Sequence, residues 1–154
     1  GKTAVALSDF ELPDLVHEVI EEMETICRKG QTICFDSNEI KEIHSDKKLL
    51  RNTLINLLSN ACKFSGENKS VWIKTEKISN KLRITIKDEG IGIGKEDKKH
   101  LFETFCRGAN AQNIQGTGLG LHLVKRYTEL LNGSVQLESE IDKGTTVTVL
   151  LPFD

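Results

Sequence analysis

The stretch VWIKTEKISNKLRITIKD, Val71 to Asp88, decides how the rest of the chain is read. On either side of Ser79-Asn80 apolar and polar residues alternate, the pattern of two strands joined by a tight turn. Alternation means that one sheet face meets solvent and the other is covered, because strands buried on both faces read as continuous apolar runs. The last segments, SVQLESEI (residues 134–141) and TTVTVLLP (residues 145–152), alternate in the same way. Elsewhere the period lengthens to about 3.6 residues, so strands and helices share one core.

Working outward, Leu12, Leu15, Val16, Val19, Ile20, Met23 and Ile26 recur at helical spacing, which predicts a helix from Leu12 to Lys29 ended by Gly30. Pro13 falls in its opening turn, where a missing N–H costs little. Short strands are expected at Thr32 to Phe35 and around Glu39 to His44, and Asp46 offers an N-cap to a long helix reaching about Ser65. A short helix around Glu96 to Phe105, a loop of about a dozen residues and a helix from Gly118 to Leu131 precede the last two strands. The expected fold is α+β: a two-layer α/β sandwich, with three long helices on one face of a mixed, mostly antiparallel sheet.

Composition narrows the function. With 154 residues, just over a third of them apolar, one core and a single domain over residues 1–154 are expected. The net charge of −2 comes from interspersed charges of both signs, which leaves no basic footprint for nucleic acid. Cys27, Cys34, Cys62 and Cys106 are spaced too irregularly for a zinc site or a disulfide framework, so reduced thiols in a cytoplasmic setting are expected. No apolar run approaches the roughly 20 residues that span a bilayer, and direct membrane contact by this chain is not expected. The beginning, GKTAVALSDF, lacks an initiator Met and reads as a piece of a longer protein, although a processed or engineered end would look the same.

Three clusters carry candidate chemistry. On the long helix, Asn52, Asn56, Asn60 and Lys63 fall in one stripe opposite Leu50, Leu54, Leu58 and Ala61. Asn is a poor helix former, so its repeated use in mid-helix asks for compensation. Amide oxygens suit Mg²⁺ and a neighbouring Lys suits phosphate. In DEGIGIG, Asp88 to Gly94, the carboxylate continues the inward row Leu82, Ile84, Ile86 and therefore needs a donor. An acceptor-only Asp matches the exocyclic amino group of adenine, and glycines at 90, 92 and 94 would let a flat ligand approach the backbone. On the last strand Thr145 ends the row Leu151, Val149, Val147 in the same way. The third cluster is NIQGTGLGL, residues 113–121, where glycines before a helix expose backbone N–H groups to an anion such as phosphate. It is neither a P-loop nor a dinucleotide fingerprint. Gly94-Lys95 is followed by Glu96 and preceded by Glu89 where the first P-loop Gly belongs, and positions 95 and 121 are Lys and Leu where a fingerprint needs its third Gly.

Taken in order, these motifs resemble the ATP-binding catalytic domain of two-component sensor histidine kinases, in the superfamily that also holds gyrase B, the Hsp90 chaperones and MutL, with a Bergerat-type fold. LLRNTLINLLSNACKFS is similar to the asparagine box, which implies Asn60 as the Mg²⁺ ligand and Asn56 and Lys63 near the phosphates. DEGIGIG is similar to the first glycine box, implying Asp88 as the adenine anchor with Gly90 and Gly92 as close-approach positions. LFETFCRG resembles the phenylalanine box, with Phe102 and Phe105 at the base of a lid and Arg107 reaching the terminal phosphate. GTGLGL resembles the second glycine box, implying nucleotide contact by Gly116, Thr117, Gly118, Leu119 and Gly120, and KGTTVTVLLP the closing strand with Thr145. Phe64, Gly94 and Cys106 depart from the common pattern, where Tyr, Pro or Ser, and an aromatic are usual. The loop from Arg107 to Gly116 then reads as an ATP lid.

The resemblance implies binding of Mg·ATP and transfer of the γ-phosphoryl group to a histidine on a separate dimerising helical domain, with a response-regulator receiver domain as the further partner. His17-Glu18 lacks the basic residue and Pro that follow an acceptor His and reads as a packing or surface residue; His44, His100 and His122 lack that context too. The chain is thus expected to hold the ATP-handling half only. Three readings stand beside this one. An anti-sigma-type serine kinase shares the glycine boxes, a non-catalytic ATP-sensing module would close its lid without chemistry, and an ATPase clamp would need a transducer region that this length does not contain.

Overall fold

The computed structural model describes residues 5–27, 29–37, 40–92 and 119–152. In chain order its elements are β1 (Ser8–Glu11), α1 (Leu12–Glu24), β2 (Thr32–Ser37), β3 (Glu42–Ser45), α2 (Lys47–Phe64), β4 (Ser70–Ile78), β5 (Lys81–Asp88), α3 (Leu119–Leu130), β6 (Ser134–Glu140) and β7 (Gly144–Pro152). The hairpin forms as its alternation requires, with β4 and β5 antiparallel and Ser79 at φ +56° in the turn. These two strands stand inside a five-stranded sheet ordered β2-β4-β5-β7-β6, in which the β2–β4 pair is parallel and the others antiparallel. A separate antiparallel ribbon joins β1 to β3.

One sheet face is the core. Leu82, Ile84 and Ile86 of β5 lie beside Leu151, Val149 and Val147 of β7, all buried, while Lys81 and Lys87 are exposed. The helices cover that face, with α2 in the middle, packed on α1 and α3 and on β5. The two-layer α/β sandwich with three long helices on a mixed, mostly antiparallel sheet is therefore the observed architecture. Its central helix starts where a side chain stops the chain from fraying: Asp46 accepts from the Leu49 N–H at 3.0 Å, and its second oxygen accepts from the Ala6 N–H at 2.8 Å. Leu50, Leu54 and Leu58 then turn fully into the core, and the Asn52, Asn56, Asn60 and Lys63 stripe stays half-buried opposite them.

Four boundaries differ from the sequence expectation. α1 ends at Glu24 rather than Lys29, because the Thr25 and Ile26 N–H groups bond back three residues and the Thr25 hydroxyl donates to Glu22 O at 2.7 Å. Ile26, counted as an apolar helix position, is exposed. β1 has no counterpart in the expectation, since four residues joined to a strand some 35 positions away leave no local signal. β2 runs on to Ser37, and β3 begins at Glu42 rather than near Glu39. The short helix expected at Glu96 to Phe105 and the loop from Arg107 to Gly116 lie outside the described residues. No described helix is long and apolar enough to cross a membrane.

Cys27, Cys34 and Cys62 are free thiols. Cys27 Sγ and Cys62 Sγ are 3.6 Å apart, and burial, reinforced by Cys27 and by the charge of Asp88, pushes the Cys62 thiol up to about 12. Alkylation under mildly alkaline conditions with peptide mapping is expected to modify exposed Cys34 well before Cys62, and rapid labelling of Cys62 would contradict its placement. The two faces of α2 make a second contrast. In thermal or denaturant unfolding, Leu54→Ala is expected to cost about 2–5 kcal/mol, whereas Asn56→Ala stays within about 1 kcal/mol of the parent.

Candidate functional site

β5 carries its inward row to its end: after Leu82, Ile84 and Ile86 comes Asp88, which is 4% exposed. Two backbone amides donate to its carboxylate, Gly90 N–H at 2.8 Å and the N–H of Thr145, the residue opposite it on β7. Both favour the charged form, but burial outweighs them and pushes the carboxyl from 3.8 up to about 6. The folded chain thus holds this proton more tightly than the unfolded chain does. The stabilising contribution is complete below about pH 3.8 and is lost as pH rises through about 6, so at neutral pH the ionised group costs on the order of 3 kcal/mol. A ligand that brings a hydrogen-bond donor to this carboxylate offsets that cost.

A small, partly open pocket adjoins it. It is walled by Leu57, Ala61 and Phe64 of α2, Ile86 of β5, Leu121 of α3, and Leu137 and Val147 of β6 and β7, with Asn60, Asp88 and Thr145 as its polar groups. Apolar walls with a few fixed polar atoms are what a flat heteroaromatic ring requires.

The glycines after Asp88 lie close against the protein's own backbone. A Cβ at Gly90 would strike the Phe64 carbonyl oxygen and stand 2.8 Å from Asp88 Oδ1. A Cβ at Gly92, whose φ is +72°, would strike the Glu140 carbonyl oxygen. Glycine is thus required here by the protein's own backbone, which clamps the segment between the end of α2 and the β6–β7 turn: Ile91 N–H donates to Phe64 O at 3.2 Å, and Asp142 N–H donates to Ile91 O at 2.7 Å. Both glycines hold Asp88 in place.

On α2, Asn60 lines the pocket, while Asn56 and Lys63 sit on the same stripe outside its lining. The Asn56 Nδ2 donates to Asn52 O at 2.8 Å, and since a carbonyl only accepts, the Asn56 amide oxygen is turned away from the helix backbone as a hard acceptor. α3 begins at Leu119, directly after the GTG triplet, and Gly120 lies in its first turn. Phe102, Phe105, Arg107, Gly116, Thr117 and Gly118 lie outside the described residues. His17 is exposed and sets its ring edge-on to Phe35, with centroids 5.3 Å apart, a packing role. Two supporting residues escaped the sequence reading. Gln31 Nε2 reaches Cys62 O, Ser65 O and Gly66 O at 2.9, 3.0 and 3.2 Å, satisfying carbonyls at the end of α2, and nothing in its local sequence signals this. Ser139, buried against Thr145, did leave a signal, because it continues the inward row Val135, Leu137 as Thr145 continues its own.

Comparison with known proteins places the fold. Residues 45–154 match the family model described as histidine kinase-, DNA gyrase B-, and HSP90-like ATPase. The chain is 34% identical to the circadian input-output histidine kinase CikA of Synechococcus elongatus over 99% of its own length, and spans about a fifth (21%) of that relative. Among solved structures, full-length ShkA in complex with AMPPNP superposes with a TM-score of 0.87 at 26% identity, covering 99% of this chain and 32% of ShkA. The catalytic domain of histidine kinase ThkA superposes with a TM-score of 0.83 at 28% identity, covering 96% of each chain. ThkA in complex with the response regulator protein TrrA gives a TM-score of 0.79 at 26% identity, covering 97% of this chain and 42% of that one. The chain therefore belongs to the histidine kinase-, DNA gyrase B- and HSP90-like ATPases, and its relatives there include sensor histidine kinases.

Proposed function

We propose that this chain binds Mg·ATP and donates the γ-phosphoryl group to a histidine on a dimerising helical hairpin outside these 154 residues, from which a response-regulator receiver domain takes it. The observation that carries the reading is the buried Asp88 carboxylate, held by two backbone amides at the end of an apolar pocket. It accepts from the exocyclic amino group of adenine while the pocket walls pack on the ring. The AMPPNP complex of ShkA and the ThkA–TrrA complex support the nucleotide and the receiver partner. A cytoplasmic location follows from dependence on ATP.

The α2 stripe fits a metal-bound triphosphate. Asn60 and the outward amide oxygen of Asn56 are hard oxygen donors, and among the described residues no group of three or more His, Cys, Asp or Glu side chains could hold a metal without the phosphates. When bound, Mg²⁺ neutralises charge on the triphosphate. Lys63 attracts the phosphates from the last turn of α2, and Arg107 is assigned to the terminal phosphate by the resemblance of its motif. The acceptor imidazole nitrogen forms the new P–N bond as the bond to the ADP oxygen breaks, and this chain's contribution is to position the nucleotide and balance its charge.

Calorimetric titration tests this. Mg·ATP is expected to bind the parent in the roughly micromolar to submillimolar range, with GTP weaker by about a hundredfold or more, because the guanine carbonyl sets acceptor against acceptor at Asp88. Asp88→Asn is expected to lose ATP binding yet melt no lower than the parent at neutral pH, since it removes the buried charge. Equal binding of GTP, or undiminished ATP binding by Asp88→Asn, would overturn the reading.

A further inference from the structure

Beside Asp88 two hydroxyls share their hydrogens in a way the geometry determines. Ser139 on β6 faces Thr145 on β7, both are buried, and their oxygens are 2.8 Å apart. At that distance one hydroxyl donates to the other. Ser139 Oγ also lies 2.9 Å from the Gly144 carbonyl oxygen, which can only accept, so the single Ser139 hydrogen is committed there. Ser139 therefore accepts at the second contact, and Thr145 donates. With its hydrogen directed at Ser139, Thr145 offers only lone pairs to the pocket that it lines.

We infer that Ser139, which lies outside the pocket lining, is a positioning residue for base specificity: it fixes the Thr145 hydroxyl as an acceptor beside the Asp88 carboxylate. The inference rests on the adenine-binding reading of the same pocket. Set against the six-position of a purine, two acceptors together favour an amino group there and oppose a carbonyl. Without Ser139 the Thr145 hydroxyl turns freely, and its hydrogen can meet such a carbonyl. Selectivity then weakens although no residue touching the base has changed.

The probe is inosine triphosphate, which has a six-carbonyl and an N1–H where ATP has a six-amino group and a bare N1, without the two-amino group of guanine. Affinities of Mg·ATP and Mg·ITP are measured by titration on the folded 154-residue chain, on Ser139→Ala and on Ser139→Thr. Ser139→Ala is expected to lower the ATP-to-ITP affinity ratio by about tenfold, the scale of one mispaired hydrogen bond, and Ser139→Thr to restore the parental ratio. In a Thr145→Val background, Ser139→Ala is expected to leave the ratio unchanged. Equal weakening of both nucleotides by Ser139→Ala, or an unchanged ratio, would overturn the inference while the pocket reading stands. A parent chain with no preference for ATP over ITP would overturn both.

Discussion

A carboxylate buried at the end of a central strand is the constraint on which the rest of this structure depends. Asp88 sits where the β5 row would otherwise place another aliphatic side chain, and its environment raises its proton affinity to about 6. Three features of the fold hold it there. Register across β5 and β7 sets Thr145 opposite it, glycine at position 90 lets the backbone turn back and donate to it, and the Ile91 and Asp142 amides fasten that turn to α2 and to the β6–β7 turn. Removing any of them releases a charge that the surroundings do not solvate. Such an arrangement makes the empty domain less stable than an apolar replacement would, and the same desolvation strengthens a hydrogen bond from a ligand.

α2 links that site to the core. Its leucine face is completely enclosed, which fixes the rotation of the helix about its axis. Its asparagine face is thereby aimed toward the side on which Asn60 meets the pocket. Gln31 ties down the last carbonyls of the helix, so Lys63 and Phe64 are held where the Asp88 turn meets the helix end. Packing energy on one face thus becomes positional accuracy on the other.

Much of this was legible in the sequence because periodicity is local. The β4–β5 hairpin, the Asp46 cap and the two faces of α2 all follow from spacing within a few turns or residues. The inward direction of Asp88 and Thr145 follows from counting by twos. What periodicity could not supply depends on partners distant in the chain. β1 needs β3, the end of α1 is set by a side-chain bond rather than by the apolar pattern, and the contact of Cys27 with Cys62 joins residues 35 positions apart. The glycines show the limit most clearly: their need for close approach was legible, but not that the carbonyls of Phe64 and Glu140 crowd them. The lid, the phenylalanine box and the glycine triplet before α3 rest on motif resemblance alone.

The central claim, that a desolvated carboxylate anchors the adenine amino group, is tested most directly by following the Asp88 side-chain carbon by NMR as pH is varied, with and without Mg·ATP. The account predicts a midpoint near 6 in the empty chain that moves down when ATP is bound, because a donor from the base favours the charged form. A midpoint in the ordinary aspartate range in the empty chain, or one that ATP leaves unmoved, would contradict it.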